Sequence, residues 1–169
     1  MKAKVVVSGE YNRVALWSHH RDLLDQAHGT PCTPAEAKAL IGAMGRHFKC
    51  DVEVSFRAGH AGRSWPGRQR LRLPVDSLPV DWQTYTERPG CKRMVTEGGQ
   101  PSRIGWLRVG IVLHEYAHCL LRRKMSGVPL SEIKRQERGP HGRLFVRTLD
   151  EVLEWWAGRS KICPTKHIR

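Results

Sequence analysis

The chain of 169 residues carries 29 Lys and Arg against 16 Asp and Glu, and its formal net charge of +13 favours a polyanionic partner such as nucleic acid. This length suits a single domain, residues 1–169, with its own hydrophobic core, and is short for two domains. The five cysteines form no CxxC pair, which argues against a disulfide framework and a zinc ribbon.

The N-terminal segment does not have the pattern of a signal peptide. MKAKVVVSGEYNR has only a three-valine run, which is too short for the apolar part of a signal peptide. No apolar run in the chain approaches the length that spans a membrane. We therefore expect a cytoplasmic protein with no membrane partner, in line with its unpaired cysteines.

The first half of the chain alternates helical and extended patterns. A short strand is predicted at 4–8 and a helix at 14–26. A second helix is predicted over 33–48, where Thr33 and Glu36 form a T-x-x-E capping box around Pro34.

Two strands are predicted next, at 51–57 and 68–74. In the first, Val and Phe residues alternate with polar ones, as in a half-buried strand. In the second, Leu71 and Leu73 alternate with Arg70 and Arg72. Because one side of this strand is so strongly charged, we expect it at the edge of the sheet.

The second half contains a long connection and two helices. Residues 74–102 are rich in proline and turn signals, which predicts a flexible loop that could flank a cleft. A helix capped by Ser102 should run through HEYAH and end near Lys124. After a polar connection, a last helix is predicted from Pro140 to Ala157, with Gly158 as its terminator and a basic tail at 159–169.

The sequence HEYAH, residues 114–118, has the spacing of a metal site. Residues four apart on a helix lie about 40° apart around its axis, so His114 and His118 can place two imidazole nitrogens on one ion. Glu115 lies beside them, where it can reach a metal-bound water without being a ligand. Zinc suits two imidazoles with a further N or O ligand, and this is the HExxH pattern.

A catalytic zinc also needs a third protein ligand and an open position for water. Downstream, His141, Glu137, Asp150 and Glu151 are candidates. His141 lies at the predicted start of the last helix, with Phe145 one turn later to anchor that turn in the core. Glu137 is the main competitor, although the Arg-Gly-Pro after it would stop a helix.

A second interpretation of HEYAH involves no metal. The helix is apolar on nearly every side except the stripe formed by His114, Glu115 and His118, so these polar groups need partners. Core histidines bonded to backbone carbonyls, with Glu115 paired to an arginine, would also satisfy them.

HEYAH followed by GPHGRLF resembles the SprT-like zinc metallopeptidases, in which HExxH is followed by a variable loop and a third histidine in an HGxxF-type motif. The resemblance covers about residues 33–157. It implies an α+β, zincin-like domain with a small mixed or antiparallel sheet packed on the HExxH helix and a C-terminal helix. By position, it implies His114, His118 and His141 as zinc ligands and Glu115 as the catalytic glutamate.

The expected activity is hydrolysis of peptide bonds by a zinc-activated water, with Glu115 as general base. Proteins bound to DNA are among the substrates that the resemblance implies. The peptide is expected to pair with the predicted edge strand, along Arg70, Leu71 and Arg72. The alternative is a basic nucleic-acid-binding module with a structural zinc or none, whose site would be closed by a fourth protein ligand.

Overall fold

The computed structural model describes residues 14, 17–57, 62–75, 107–137 and 141–162, without the side chains of Leu130, Lys134, Gln136, Glu137, Ser160, Lys161 and Ile162. The described residues form an α+β structure, as predicted. In chain order its elements are α1 (Arg21–Gly29), α2 (Pro34–Phe48), β1 (Glu53–Phe56), β2 (Arg63–Trp65), β3 (Arg70–Leu73), α3 (Val109–Lys124), α4 (Leu130–Glu137) and α5 (Arg143–Ile162). The predicted strand at 4–8, nearly all of the loop at 74–102 and residues 163–169 of the tail lie outside the described residues.

Helix α1 is shorter at its start than predicted. The expected helix over 14–26 is interrupted at residues 18–20. Here the Ser18 hydroxyl and the His19 backbone N–H both donate to the carboxylate of Asp150, at 2.6 and 3.0 Å. Because this buried carboxylate on α5 takes hydrogen bonds from a non-helical turn, the helix begins only at Arg21.

Helix α2 begins as the capping pattern predicts. The Thr33 hydroxyl accepts a hydrogen bond from the Glu36 N–H at 3.2 Å, and the Glu36 carboxylate accepts one from the Thr33 N–H at 2.7 Å. Pro34 opens the first turn, and Lys49 ends the helix in the left-handed conformation, with φ of 55°. One face of this helix packs inward, with Ile41 and Met44 in the core.

The sheet is mixed and has the order β1-β3-β2. Strand β3 pairs in parallel with β1 and antiparallel with β2. The prediction that the 68–74 strand forms an edge is therefore wrong, since β3 is the central strand. The arginines of β3 lie on an exposed face of the sheet and do not indicate an edge. The three-residue strand β2, which pairs with the other edge of β3, was not recognised in the sequence.

Helix α3 is the centre of the fold. It begins at Val109 and not near Ser102, because residues 107–109 first run extended against the segment after α1. The backbone bonds Val109 N to Thr30 O at 2.9 Å and Cys32 N to Leu107 O at 3.3 Å hold that pairing. Its end at Lys124 is as predicted, with three basic residues in the last turn.

The sheet packs on α3 through its inner side, where Leu71 and Leu73 are buried. Two polar contacts fix the helix against this layer. The Tyr116 hydroxyl donates to the Cys50 carbonyl at 2.8 Å, and the Gln69 amide donates to the Cys119 carbonyl at 3.2 Å. These bonds fix the position of the helical turn that carries HExxH relative to the strands.

Helix α5 packs against α3 from the other side. Phe145, Leu149 and Val152 on this helix are buried. Gly158 does not end the helix, which runs to Ile162; the residue is exposed, and one glycine costs a helix only about 1 kcal/mol. The polar connection predicted between α3 and α5 contains the helix α4.

The core also includes Val14, Leu24 and Ala27, which lie before the range of about 33–157 that the resemblance covers. Among the described helices, none combines the length and apolar character that crossing a membrane would require.

Candidate metal centre

Three histidines converge on one point between α3 and α5. His114 and His118 lie on successive turns of α3, and His141 lies in the turn that leads into α5. One ring nitrogen of each lies within 4.8 Å of the others, close enough for the three to bind a single metal ion. The predicted grouping of these three residues is confirmed.

The distances between the nitrogens fit a common ion. The Nε2 atom of His141 lies 3.0 Å from Nε2 of His114 and 3.2 Å from Nε2 of His118. A tetrahedral ion with metal–nitrogen bonds of about 2.0–2.1 Å places its ligand atoms roughly 3.3 Å apart. His141 is therefore almost at the separation from each of the other two histidines that such a site needs.

The side chain of Phe145 packs against all three imidazole rings. It is fully buried, and its ring centroid lies 5.0 Å from that of His114, 4.2 Å from His118 and 4.9 Å from His141. One aromatic side chain on the first turn of α5 thus touches the histidines of both elements. This contact limits how far the three rings can turn.

Burial keeps two of these imidazoles in the uncharged form that binds metals. Burial lowers the pKa of His114 well below its ordinary value, and His118, His141 and His28 lower it further. Burial and the neighbouring His141 lower the pKa of His118 to about 3. At neutral pH both rings are neutral, so no proton has to leave them before a metal binds.

Glu115 lies beside the histidines and faces strand β2. Burial raises the pKa of its carboxyl group to about 7, and a hydrogen bond from the Ser64 hydroxyl partly offsets that rise. Gly62, just before the strand, makes this close approach possible. A Cβ there would lie 2.7 Å from Ile111 and 3.1 Å from a carboxylate oxygen of Glu115.

A fourth histidine packs one turn before His114. A Cβ on Gly110 would lie 2.5 Å from the ring of His28, so only glycine fits between α1 and α3 at this position. Burial lowers the pKa of His28 to about 4, although Asp25 raises it. His28 is not among the residues that could share the ion. It belongs to the wall of the site.

The other predicted site residues lie elsewhere. Leu71 is buried on the inner face of β3, while Arg70 forms an ion pair with Glu53 at 3.0 Å and Arg72 lies over Trp65. Because both edges of β3 are paired, none of the three can offer a backbone edge to a peptide, and the reason for predicting them as substrate-binding residues no longer holds.

The other candidates for the third ligand do not join the cluster within the described residues. Asp150 is bound to Ser18 and His19, and Glu151 forms an ion pair with Lys124. The Glu137 side chain lies outside the described part of the chain, and its backbone ends α4.

Sequence reasoning missed Ser64, Gly62 and His28. The first two lie in a stretch that reads as a glycine-rich turn, because a three-residue strand is too short to show a period. His28 lies beyond the end of the helix predicted at 14–26. The only signal for it is indirect: Gly110 is a small residue four positions before His114, on the same stripe of the helix.

The metal-free interpretation of HEYAH required carbonyl partners for the histidines and an arginine for Glu115. In the described part of the chain, His114 and His118 contact His141 instead, and the hydrogen bond to Glu115 comes from a serine.

Comparisons with protein-family models, curated proteins and solved structures yielded no match for this chain. The site must therefore be interpreted from its own geometry.

Proposed function

We propose that this protein is a zinc-dependent metallopeptidase. The observation that carries the proposal is the convergence of three imidazoles, two of which burial holds neutral, beside a partly buried carboxylate that is not one of them. A structural metal site gains nothing from such a carboxylate, whereas hydrolysis needs a base at this position.

Zinc is the proposed ion because the donor set is three imidazole nitrogens. Hard cations such as magnesium and calcium prefer oxygen ligands, and thiolate sites are excluded because no cysteine joins the described cluster. His114, His118 and His141 would hold the ion and leave a fourth position for water, as catalytic sites with three protein ligands do. When bound, zinc would supply a Lewis acid that polarises the scissile carbonyl and lowers the pKa of a water molecule.

Glu115 would act as the general base. Its carboxylate would accept the proton of the attacking water and later deliver it to the amine that leaves. A raised pKa near 7 suits both transfers, since a group poised near the working pH can take up and release a proton. A cation at the imidazoles would favour the ionised form. The Ser64 hydroxyl would hold the carboxylate in place from the strand side.

A peptide substrate would pair with β2. Among the described strands, β2 is paired on one side only, and its Ser64 contacts Glu115. An extended peptide added to that edge would run past the general base. Proteins associated with DNA are the proposed substrates, in keeping with the charge of +13.

The alternative is a nucleic-acid-binding module that uses zinc only as a structural element. Such a site would be closed by a fourth protein ligand. Within the described residues, three side chains and no fourth come together. This favours the enzyme.

The test is Glu115→Gln, compared with wild type and with His141→Ala. The glutamine keeps the size of the side chain but cannot accept the proton, so zinc content should stay at about one equivalent. Hydrolysis of an unfolded protein substrate, measured with and without DNA, should fall by about 10² or more. His141→Ala should lose most of the zinc as well as the activity.

Equal cleavage by wild type and Glu115→Gln would refute the role of Glu115, and loss of zinc from Glu115→Gln would make it a ligand. Zinc retained by His141→Ala but lost from Glu137→Ala would identify a different third ligand.

A further inference from the structure

The outer face of the sheet carries a set of arginines that the metal centre does not use. Along each strand, side chains alternate between the two faces, and the register of the sheet shows which residues lie together. One row across the sheet holds Ser55, Arg72 and Arg63, and the next holds Glu53, Arg70 and Trp65. Arg57 continues the first strand on the same face.

Four guanidinium groups thus share this face, from Arg57, Arg63, Arg70 and Arg72; we call them the arginine face. Three of these residues are exposed, and Arg72 is partly buried. Neighbouring strands lie about 4.8 Å apart, so positive charges are packed far more closely than on an average surface. Like charges at that spacing repel one another unless anions lie between them.

Few anions are present among the described residues. Glu53 pairs with Arg70, and these two side chains are 66 % and 49 % exposed, so the pair is open to solvent. In the same part of the chain, no carboxylate forms an ion pair with Arg57, Arg63 or Arg72. Most of the positive charge on this face is therefore available to an external partner.

Trp65 holds two of the guanidinium groups in place. The Arg63 guanidinium lies 5.1 Å and that of Arg72 5.3 Å from the centroid of the indole ring. Cation–π contacts of this kind restrict long arginine side chains without neutralising them. An anion that binds here meets charges that are already ordered, which lowers the entropy cost of binding.

We propose that the arginine face binds the phosphate backbone of nucleic acid. Closely spaced, planar, permanently charged guanidinium groups match successive phosphates of a strand, which they can contact through paired hydrogen bonds. The net charge of +13 gives the same sign of attraction at long range. This proposal does not depend on peptidase activity, because it concerns a different side of the sheet.

The position of this surface relative to the metal centre is defined by β2. Arg63 and Trp65 face outward, while Ser64 between them contacts Glu115 on the inner side. A nucleic acid on the outer face would therefore lie one strand away from the site, with the edge of β2 that pairs with no other described strand between them. A protein attached to that nucleic acid would be held close to this edge.

The experiment measures binding of the zinc-loaded full chain to labelled DNA as salt is varied. Both a single strand and a duplex of about 20 nucleotides are used, which are longer than the arginine face at about 3.4 Å per nucleotide. One variant replaces Arg57, Arg63, Arg70 and Arg72 by Gln. The matched control replaces four exposed basic residues on α2 and α5 by Gln, namely Lys38, Arg46, Arg143 and Arg147.

The arginine-face variant should bind at least about tenfold more weakly than the control, with a slope of log affinity against log salt reduced by roughly three to four. The control should keep most of the slope. Trp65→Ala should weaken binding by about two- to fivefold without changing the slope, because it releases the guanidinium groups but keeps their charge.

A stronger effect on the single strand or on the duplex identifies the form that binds, and either supports the proposal. Equal weakening in the variant and the control would overturn it, since net charge alone would then explain binding. The proposal is also wrong if wild type does not bind DNA at low salt, or if it binds anionic lipid vesicles instead. All of these outcomes are read from binding alone, so they are independent of the test of Glu115.

Discussion

The two faces of the small sheet differ in how they use polar groups. On the inner side, Ser64 contacts a partly buried carboxylate that lies beside three partly buried imidazoles. On the outer side, three of the four arginines are exposed, and the ion pair between Arg70 and Glu53 is open to solvent. A single strand, β2, contributes residues to both faces.

This difference decides how each face should respond to change. Buried polar groups interact strongly at short range, because little water screens them, so one substitution on the inner side can abolish the site. Exposed charges are screened within about 10 Å at 0.1 M salt and act together. The outer face should therefore lose function gradually, in proportion to the number of arginines removed.

The largest expected effect is on stability and comes from Phe145→Ala. The buried ring touches all three histidines, and removing such a side chain from a core costs about 3–5 kcal/mol. Zinc affinity should also fall by about 10- to 100-fold, since the imidazoles lose the contact that orients them. Urea unfolding and competition with a zinc chelator measure the two effects.

Trp65→Ala on the outer face is the control for that result. Trp65 is partly exposed, so its loss should cost about 1 kcal/mol or less and leave zinc affinity unchanged. If the two alanine variants were equally destabilised, or both retained full zinc affinity, the proposed contrast between the faces would fail.

The grouping of the three histidines was easier to predict from sequence than the sheet around it. His114 and His118 follow from helical spacing alone, and His141 follows from the signals that start a helix. These are local rules, and the capped helix α2 was predicted for the same reason. They fail where a distant group intervenes, as when Asp150 interrupts the first helix or residues 30–32 delay the start of α3.

The order of the strands could not be read from local pattern. The alternation of Leu and Arg shows that β3 has one solvent-exposed face. The alternation does not show whether β3 pairs with a second strand. That information lies in β2, whose three residues are bounded by Gly62 and Pro66 and leave no period to detect. The contact between Ser64 and Glu115 depends on the pairing of β2 with β3. Because that pairing was not predicted, the contact was missed as well.

The second-largest expected effect is on the free energy of unfolding and comes from burying the carboxyl group of Glu115. In the metal-free protein its pKa is about 7, against 4.5 for the ordinary group. Below pH 4.5 the carboxyl is protonated in both the folded and the unfolded chain, and burial carries no charge penalty. As the pH rises toward 7 the unfolded chain ionises first, so folding becomes less favourable, and above 7 the full penalty applies.

Metal-free Glu115→Gln should therefore be more stable than wild type at pH 8, by about 1–3 kcal/mol, and the difference should vanish by pH 4.5. Urea unfolding at both pH values, after removal of zinc, measures it. On the outer face, Glu53→Gln should show no such gain, since its carboxylate is largely exposed. A glutamine variant that is less stable than wild type at pH 8 would contradict a buried, weakly compensated carboxylate.

The smallest effect, and the most specific, is expected from Ser64→Ala. Its hydroxyl lowers the pKa of Glu115 by hydrogen bonding to the carboxylate, so its removal should raise that pKa. If Glu115 is the base, activity falls as the pH drops through this pKa, and the acidic limb of the profile of kcat/KM should move upward by about half a unit to one unit. Ser55→Ala is the matched control, because its hydroxyl donates one hydrogen bond, to the Leu71 carbonyl at 3.2 Å, and its side chain lies on the outer face. Ser55→Ala should leave the limb in place, while both variants lose about 1 kcal/mol of stability at most. A limb that shifts equally in both would mean that general loosening of the sheet, and not the bond from Ser64, sets the pH dependence.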